Sequence, residues 1–355
     1  MKIKILLVGG GTMGSVSPLI AVYQKIKKIK PDTEFLFLGT SQGPEKTAVE
    51  SYKIPFKVIV SGKLRRYFSW KNFIDPFKVV FAFFQSIIII LKFKPDAIMI
   101  AGSFAGVPVT WAATILGRRV LIHQQDILAG LANKLMANTA NTITISFEPS
   151  LRDYGQGKTV FTGNAVREEF SVCEKTEAKK IFGLSDSLPT VLIMGGGTGA
   201  NKINETVEKS LAELLQFCQV MHITGVGKKN QAEAENYHQF EFLTNETVEA
   251  FCAADLVVSR SGMSSLCELA VMAKPAIVIP IPGHQELNAQ YFQKNNAVMV
   301  LSQESLNSEI FISMIKELLF SAPERENLSR NISKLVPPDG ADKIASLLLG
   351  LTRKD

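Results

Sequence analysis

A glycine-rich turn that follows a short apolar run occurs twice in this chain, about one domain length apart. Gly9-Gly10-Gly11-Thr12 follows residues 3–8, and Gly195-Gly196-Gly197-Thr198 follows residues 190–194. After each turn, short β-rich runs alternate with helical stretches, a pattern typical of parallel sheets covered by helices. The repetition therefore predicts an α/β fold of two Rossmann-like parallel-sheet domains facing a central cleft.

The length of 355 residues also fits two domains. A strand is expected to end near residue 163, and an acidic, lysine-containing stretch follows, so we divide the chain into residues 1–164 and 165–355. Beyond Gln303 only helices are expected, and the final helix could pack back on the first domain. The β-rich runs are residues 3–8, 34–38, 56–60, 97–100, 120–122 and 142–145 in the first half, and 190–194, 220–223, 256–258 and 276–279 in the second.

Charge is distributed unevenly between the halves. Up to residue 164 there are 21 lysines and arginines against 9 acids, and beyond it there are 18 against 24. This asymmetry indicates that the first half faces a polyanionic surface. Four cysteines stand far apart among apolar neighbours, which predicts buried thiols in a reducing compartment and neither a disulfide scaffold nor a zinc site. They are Cys173, Cys218, Cys252 and Cys267.

The strongest basic cluster is residues 63–94, where seven basic residues and one acid are interleaved with aromatic side chains. Each basic residue contributes roughly 1 kcal/mol at an anionic membrane surface. We predict membrane contact through Arg65, Arg66, Phe68 and Trp70. The apolar run of residues 79–91 is too short to cross a bilayer and is expected to be a buried helix. No secretory signal and no nucleic-acid-binding module is recognisable, so no nucleic acid partner is expected.

The glycine turns could bind a phosphate, because glycine lets the backbone approach an anion at a helix N-terminus. A turn without a ligand remains the alternative. An NAD or FAD site would require an acid after the second strand of either half, where the sequence has Leu38-Gly39-Thr40 and Ile223-Thr224-Gly225. No Asp-x-Asp pair occurs, so neither a cofactor nor a metal is expected.

The second half contains further polar groups in a specific order. Arg260 ends a predicted strand, Ser264 and Ser265 follow at the start of a helix, and Glu268 lies on its second turn. These groups suit a diphosphate and a ribose, although a helix cap with a surface ion pair would have the same sequence. The loop of residues 280–288 could bind sugar hydroxyls or could be an ordinary loop.

Seven blocks in this order resemble the MurG family of N-acetylglucosaminyltransferases, in glycosyltransferase family 28, over nearly the whole chain. The blocks are Gly10-Gly11-Thr12 with Pro18, His123-Gln124-Gln125 with Ala129-Gly130-Leu131-Ala132-Asn133, Gly163-Asn164-Ala165-Val166-Arg167, Gly195-Gly196 with Gly199-Ala200 and Asn204, Thr224-Gly225 with Gly227, Arg260-Ser261-Gly262 with Glu268, and Gln285 with Asn288-Ala289.

The resemblance implies a GT-B enzyme that moves GlcNAc from UDP-GlcNAc to undecaprenyl-diphospho-N-acetylmuramoyl-peptide in peptidoglycan synthesis. Transfer would invert the anomeric carbon, on the cytoplasmic face of an anionic membrane. The implied donor-binding residues are Asn164, Arg167, Gly197, Thr198, Phe242, Leu243, Arg260, Met263, Ser264, Ser265, Glu268, His284 and Gln285. The implied acceptor-binding residues are Gly11, Thr12, Ser15, Phe104 and Asn133.

The chain departs from the family pattern mainly on the acceptor side. Ser15 stands where the family has a histidine, and Phe104 replaces a tyrosine. Gln124 replaces a glutamate, and Asp126 replaces an asparagine. An inverting transfer requires a base, for which His123 and Asp126 remain, although His123 could be structural. The alternatives are a related GT-B enzyme with another UDP-sugar or lipid acceptor, a non-catalytic binder of nucleotide sugar or lipid diphosphate, and, third, an NAD oxidoreductase.

Overall fold

The computed structural model describes residues 2–353 except 42, 44, 62–70, 156, 197–198 and 244–245, and only the backbone of residues 71–76. The predicted membrane residues Arg65, Arg66, Phe68 and Trp70 therefore lie outside the described residues, as do Gly197 and Thr198. The chain divides into unit 1, Met1–Arg167 with Pro337–Asp355, and unit 2, Glu168–Val336.

Within its described residues, unit 1 contains a parallel sheet of seven strands in the order β3-β2-β1-β4-β5-β6-β7. The strands are β1 Lys4–Val8, β2 Glu34–Gly39, β3 Phe56–Val58, β4 Ala97–Ala101, β5 Arg119–Gln124, β6 Thr142–Ile145 and β7 Thr159–Phe161. The helices of this part are α1 Ser17–Ile29, α2 Glu45–Ser51, α3 Lys71–Phe93, α4 Gly106–Ile115 and α5 Leu131–Ala137.

The central strand β1 shows why this sheet is covered on both faces. Successive strand residues point to opposite faces, and four of its five residues are apolar and buried. Leu6 and Val8 belong to the core that contains residues of α3 and α4. Ile5 and Leu7 belong to the core on the other face, against α1. A continuous apolar run therefore becomes a strand buried on both sides.

Unit 2 contains a parallel sheet of six strands among its described residues, in the order β10-β9-β8-β11-β12-β13. The strands are β8 Thr190–Met194, β9 Gln219–Ile223, β10 Tyr237–Phe240, β11 Leu256–Ser259, β12 Ala276–Val278 and β13 Met299–Val300. The helices are α6 Lys175–Ile181, α7 Asn201–Leu214, α8 Thr247–Ala253, α9 Met263–Val271, α10 His284–Lys294, α11 Ser308–Phe320 and α12 Ala322–Leu335. The predicted α/β class with two parallel sheets is confirmed.

The final helix, α13 (Gly340–Gly350), belongs to unit 1 and packs on α1. Its first residue comes very close to the backbone, because a Cβ on Gly340 would lie 2.2 Å from the carbonyl oxygen of Asn164. Lys25 of α1 and Asp342 of α13 form an ion pair at 3.1 Å. The boundary between the units follows Arg167 rather than residue 164.

The expectation that all four cysteines are free thiols is wrong. Cys173 and Cys252 form a disulfide with a Cα–Cα distance of 5.8 Å, while Cys218 and Cys267 are buried thiols. The two bonded residues are 79 positions apart in the sequence, but the segment that enters unit 2 packs against α8. Only the tertiary fold brings them together.

The expectation that residues 79–91 form a buried helix holds for only one face of α3. One face of α3 is buried, including Ala82, Ser86 and Ile90, and the opposite face exposes a stripe of large apolar side chains at helical spacing. These are Phe77, Val80, Phe81, Phe84, Ile88 and Leu91. No helix in the described part of the chain combines the length and hydropathy that crossing a bilayer requires.

Candidate active site

The glycine turn of unit 1 lies at the carboxyl end of β1, where the chain's own oxygens occupy its N–H groups. Gly10 N–H donates to Ser15 Oγ at 2.9 Å, and Gly11 N–H donates to Glu45 Oε1 at 3.0 Å. Gly11 has a φ of 89°, a conformation that favours glycine. Thr12 is exposed beside this turn. The predicted acceptor residues Gly11, Thr12 and Ser15 thus lie together, although these two N–H groups are already hydrogen-bonded.

Glu45 is a buried residue beside this turn that the sequence did not single out. It is fully buried at the start of α2, and its Oε1 also accepts hydrogen bonds from the Thr40 backbone N–H and hydroxyl. A carboxylate therefore links the turn after β1 to the turn after β2. In the sequence Glu45 looks like any acid in the first turn of a surface helix, so no local pattern identifies its role.

His123 lies at the carboxyl end of β5 and is completely buried. Its Nδ1 is 2.9 Å from Thr144 Oγ1, and its Nε2 is 2.8 Å from Asn164 Oδ1. Burial lowers the pKa of His123 to about 4, against smaller opposing effects of its hydrogen bonds to Asn164 and Thr144. Because both ring nitrogens have partners and the side chain is completely buried, this arrangement favours the structural interpretation of His123 over its role as a base.

Asp126 begins the loop that follows β5 and is half-buried. The next polar groups towards the core are Gln124 and Asn133, both buried, with Asn133 Nδ2 donating to Gln124 Oε1 at 2.6 Å. Phe104, in the turn after β4, packs on the core that contains α3 and α4. Asp126, Asn133 and Phe104 are therefore all placed in unit 1, at or beside the carboxyl edge of its sheet.

Two of the residues expected to bind the sugar donor lie in unit 1. Asn164 is buried and holds His123, as described above. Arg167 is largely buried at the end of unit 1, where its Nη1 donates to the Tyr52 hydroxyl at 3.4 Å. The remaining described donor-side residues belong to unit 2.

The glycine turn of unit 2 packs tightly against the end of β9. A Cβ on Gly199, whose φ is 68°, would lie 2.1 Å from the carbonyl oxygen of Thr224. Asn204 Nδ2 donates to the same carbonyl at 2.9 Å, and its Oδ1 lies 3.1 Å from His222 Nε2. Burial lowers the pKa of His222 to about 4, and Tyr237 holds the other ring nitrogen at 2.8 Å. These contacts hold Gly199 and the start of α7 against the end of β9.

Arg260 follows β11, and its guanidinium is bound within the protein. Nη1 donates to Ile279 O at 2.9 Å and to Pro280 O at 3.4 Å, and Nη2 donates to Gln303 Oε1 at 2.7 Å. Burial lowers the pKa of Arg260. In this conformation Arg260 joins the ends of β11 and β12 through its Nη1 and Nη2 groups.

The N-terminus of α9 brings several predicted donor residues together. Gly262 caps the helix, Ser264 and Ser265 lie half-exposed on its first turn, and Glu268 lies mostly buried on its second turn. Met263 is buried and packs inward. Because the first backbone N–H groups of a helix lack intrahelical acceptors, this end can bind an anion.

The loop after β12 is hydrogen-bonded to Ser261, beside the N-terminus of α9. Ser261 Oγ donates to the carbonyl oxygen of Gln285 at 2.8 Å, and the Ile281 N–H donates to Gln285 Oε1 at 3.3 Å. His284 is exposed at the first position of α10. The two loops therefore form one connected surface at the carboxyl ends of β11 and β12.

Phe242 and Leu243 lie half-buried just after β10, which is the strand next to β9 at the edge of the sheet. No set of three or more His, Cys, Asp or Glu side chains in the described residues is arranged to hold a metal ion. The site residues thus form two groups, one at the carboxyl edge of each sheet, which is where ligands bind in open α/β sheets.

Comparison with known proteins connects both groups to one family. The model of the glycosyltransferase family 28 N-terminal domain matches residues 5–145, and that of the family 28 C-terminal domain matches residues 190–344. The chain is 36% identical over 355 residues to a Clostridium tetani protein named UDP-N-acetylglucosamine–N-acetylmuramyl-(pentapeptide) pyrophosphoryl-undecaprenol N-acetylglucosamine transferase, covering 98% of both proteins.

A protein of the same name from Lachnospira eligens is 36% identical over 352 residues, covering 97% of this chain and 98% of that protein. Among solved structures, Acinetobacter baumannii MurG superposes with a TM-score of 0.72 at 21% identity, over 99% of this chain and all of that one. These matches cover both units and show that the chain belongs to glycosyltransferase family 28, as a glycosyltransferase of the MurG type.

Proposed function

We propose that this chain transfers N-acetylglucosamine from UDP-GlcNAc to undecaprenyl-diphosphate-linked N-acetylmuramoyl-peptide, with inversion at the anomeric carbon. The observation that carries this proposal is the 36% identity to transferases of that name over nearly the full length of both chains. On the acceptor side Ser15, Phe104 and Gln124 differ from the pattern of the family that the chain resembles. A related lipid acceptor is therefore an outcome that the test must distinguish.

The donor's diphosphate binds at the N-terminus of α9 in this proposal. The backbone N–H groups there and the hydroxyls of Ser264 and Ser265 donate to phosphate oxygens, and the helix dipole favours the negative charge. Glu268, one turn further on, accepts hydrogen bonds from the ribose hydroxyls. Phe242 and Leu243 flank the uracil, and His284 and Gln285 contact the sugar hydroxyls.

Arg260 has a positioning role in this proposal, which differs from the direct diphosphate contact expected from the sequence. Its hydrogen bonds to Ile279 O and Gln303 hold the loop after β12 against the N-terminus of α9. Its positive charge also adds to the potential that stabilises the departing UDP.

Asp126 is the base in this proposal. As the acceptor hydroxyl attacks the anomeric carbon, its proton passes to the Asp126 carboxylate, the bond from that carbon to the diphosphate breaks, and UDP leaves with the electron pair. His123 is unsuited to this step because both its ring nitrogens are engaged and its imidazole is buried. In this proposal Asn164 acts within unit 1, where its Oδ1 holds the His123 ring at Nε2.

The exposed apolar face of α3 supports peripheral attachment to the cytoplasmic face of a membrane. A stripe from Phe77 to Leu91 on an exposed helix is a larger apolar surface than a water-facing helix usually carries. Lys92 and Lys94 at the end of this helix are exposed as well. Apolar insertion combined with basic side chains is the pattern that binds anionic lipid surfaces.

The donor assignment is tested by calorimetric titration with UDP-GlcNAc, UDP-GalNAc, UDP-glucose and UDP, without added metal. We expect UDP-GlcNAc to bind more tightly than the other two sugars. A Glu268→Gln variant should bind UDP-GlcNAc about tenfold more weakly, because a charge-assisted hydrogen bond contributes roughly 1.5–3 kcal/mol. Equal affinity for all three sugars, or no binding, would contradict the assignment.

A further inference from the structure

Gln124 is the last residue of β5, and it uses its whole side-chain amide to hold the loop that carries Asp126. Its Nε2 donates to Asp126 O at 2.8 Å and to Leu128 O at 3.2 Å. Its Oε1 accepts from Asn133 Nδ2 at 2.6 Å and from the Tyr154 hydroxyl at 2.9 Å. Both donor hydrogens and both acceptor positions of a buried amide are therefore satisfied.

These contacts determine which way the amide points. Two carbonyl oxygens face one end of the side chain, and two hydrogen-bond donors face the other. Exchanging the oxygen and nitrogen of Gln124 would set its oxygen against the carbonyl oxygens of Asp126 and Leu128, which cannot donate, and this costs about 1–3 kcal/mol for each unsatisfied buried group. An ionised glutamate has the same shape as glutamine but has no hydrogen to donate to Asp126 O or Leu128 O.

The loop is fixed from a second side as well. Ser150 Oγ donates to Asp126 O at 3.2 Å and to Ile127 O at 3.0 Å. The backbone N–H of Ala129 donates to Asp153 Oδ2 at 2.7 Å, and Lys134 pairs with the other oxygen of Asp153 at 3.3 Å. The backbone from Asp126 to Ala129 is therefore held by hydrogen bonds with Gln124, Ser150 and Asp153.

We propose that Gln124 is a positioning residue for the Asp126 carboxylate, so that the two residues work as one acid and amide pair. In this chain the amide is buried and shapes the loop, and the acid lies on the half-buried loop itself. The inference deepens the proposed function and rests on Asp126 as its base.

The test compares Gln124→Glu with Gln219→Glu. Gln219 is an equally buried glutamine in unit 2, at the amino end of β9, and its Nε2 also donates to two loop carbonyls, Ser185 O at 2.8 Å and Leu188 O at 3.1 Å. Both variants should lower the melting temperature. Only Gln124→Glu should also lower kcat, by about 100-fold, since misplacing a reacting group by about 1 Å has an effect of that size.

A double-mutant cycle shows whether Gln124 acts through Asp126. Asp126→Asn alone should lower kcat about 100-fold or more and leave the dissociation constant of UDP-GlcNAc unchanged. Adding Gln124→Glu to Asp126→Asn should change kcat by no more than about twofold, because the two residues serve one step. Ser150→Ala, a milder change to the same loop, should likewise lower kcat in the wild type but not in Asp126→Asn, and it provides the test if Gln124→Glu does not fold.

The outcomes separate this inference from the proposed function. If Asp126→Asn loses turnover but Gln124→Glu and Ser150→Ala behave like Gln219→Glu, the positioning role is wrong and the base stands. If the effects of Gln124→Glu and Asp126→Asn multiply, Gln124 does not act through Asp126. If Asp126→Asn retains turnover, the base assignment and this inference both fail, and if UDP-GlcNAc does not bind, the proposed function fails.

Discussion

His123 and His222 are buried neutral histidines in unit 1 and unit 2, and each uses both ring nitrogens to join neighbouring polar groups. Burial lowers the pKa of each to about 4. In the unfolded chain a histidine has a pKa near 6.5, so unfolding takes up a proton at any pH between these two values. Stability therefore falls as the pH decreases from about 6.5 towards 4.

We expect each histidine to cost about 2 kcal/mol of folding free energy when the pH is lowered from 7.5 to 5. Urea unfolding of the wild type at the two pH values measures the total change. His222→Gln should be less stable at pH 7.5 but should lose less on acidification, since glutamine does not titrate. An equal loss in the variant and the wild type would show that His222 is not the proton acceptor.

The order of residues in the sequence predicted which side chains lie together at the start of α9 but not the partners of the predicted site residues. A predicted strand, followed by a helix cap and then a helical period, was enough to place Ser264, Ser265 and Glu268 on the first two turns of one helix. The partners of Arg260 are 19, 20 and 43 residues away, and those of Glu45 lie in two different turns. Such contacts depend on how strands are ordered in the sheet, which local pattern does not specify.

At the level of single elements, α3 shows why burial was misjudged. Its apolar residues occupy both faces, and a helix that is apolar all round is usually buried. Only the position of α3 over one side of the sheet, against α4, determines that Ala82 and Ile90 face inward and Phe81 and Phe84 face outward.

Membrane attachment through α3 is tested with Phe81→Glu combined with Phe84→Glu. These side chains are 61% and 58% exposed, so the substitutions should leave folding intact. Flotation with vesicles that contain phosphatidylglycerol should fall at least about tenfold, because inserting one phenylalanine contributes roughly 1.5–3 kcal/mol. Phe320→Glu on α11 is the matched control, since Phe320 is 66% exposed in unit 2, and unchanged flotation of the double variant would rule out this surface.

The segment that enters unit 2, residues 168–181, is joined to α8 and to the residues just after it by two contacts besides the disulfide. Phe170 packs edge-on against Phe251 with ring centres 5.7 Å apart, and Lys175 pairs with Asp255. Because the disulfide closes a separation of 79 residues, we expect its loss in Cys173→Ser to lower the stability of unit 2 by roughly 2–4 kcal/mol. Guanidinium unfolding measures this, and a thiol reductant should destabilise the wild type but not the variant. Equal sensitivity to the reductant would contradict the assignment.

At the scale of the whole molecule, the duplicated strand and glycine turn were enough to predict two parallel-sheet units. Strands such as β1 and β8 are buried, continuous apolar runs, which makes them visible in the sequence. The strands not predicted are β10 and β13, which lie at sheet edges and have four and two residues, whereas the edge strand β7 was expected only as a strand ending near residue 163. Short edge strands show no clear hydrophobic pattern in the sequence. Whether such a segment becomes a strand therefore depends on its pairing with a neighbouring strand.

The central claim is that this chain is a GlcNAc transferase acting on a lipid-diphosphate acceptor. The most direct measurement is turnover with UDP-GlcNAc and undecaprenyl-diphospho-N-acetylmuramoyl-pentapeptide in vesicles, with the product identified by mass. We expect a product that is heavier than the acceptor by one N-acetylhexosamine, together with released UDP. We expect the Asp126→Asn variant not to form this product. Binding of UDP-GlcNAc without any transfer to this acceptor would contradict the account and favour another acceptor or a non-catalytic binder.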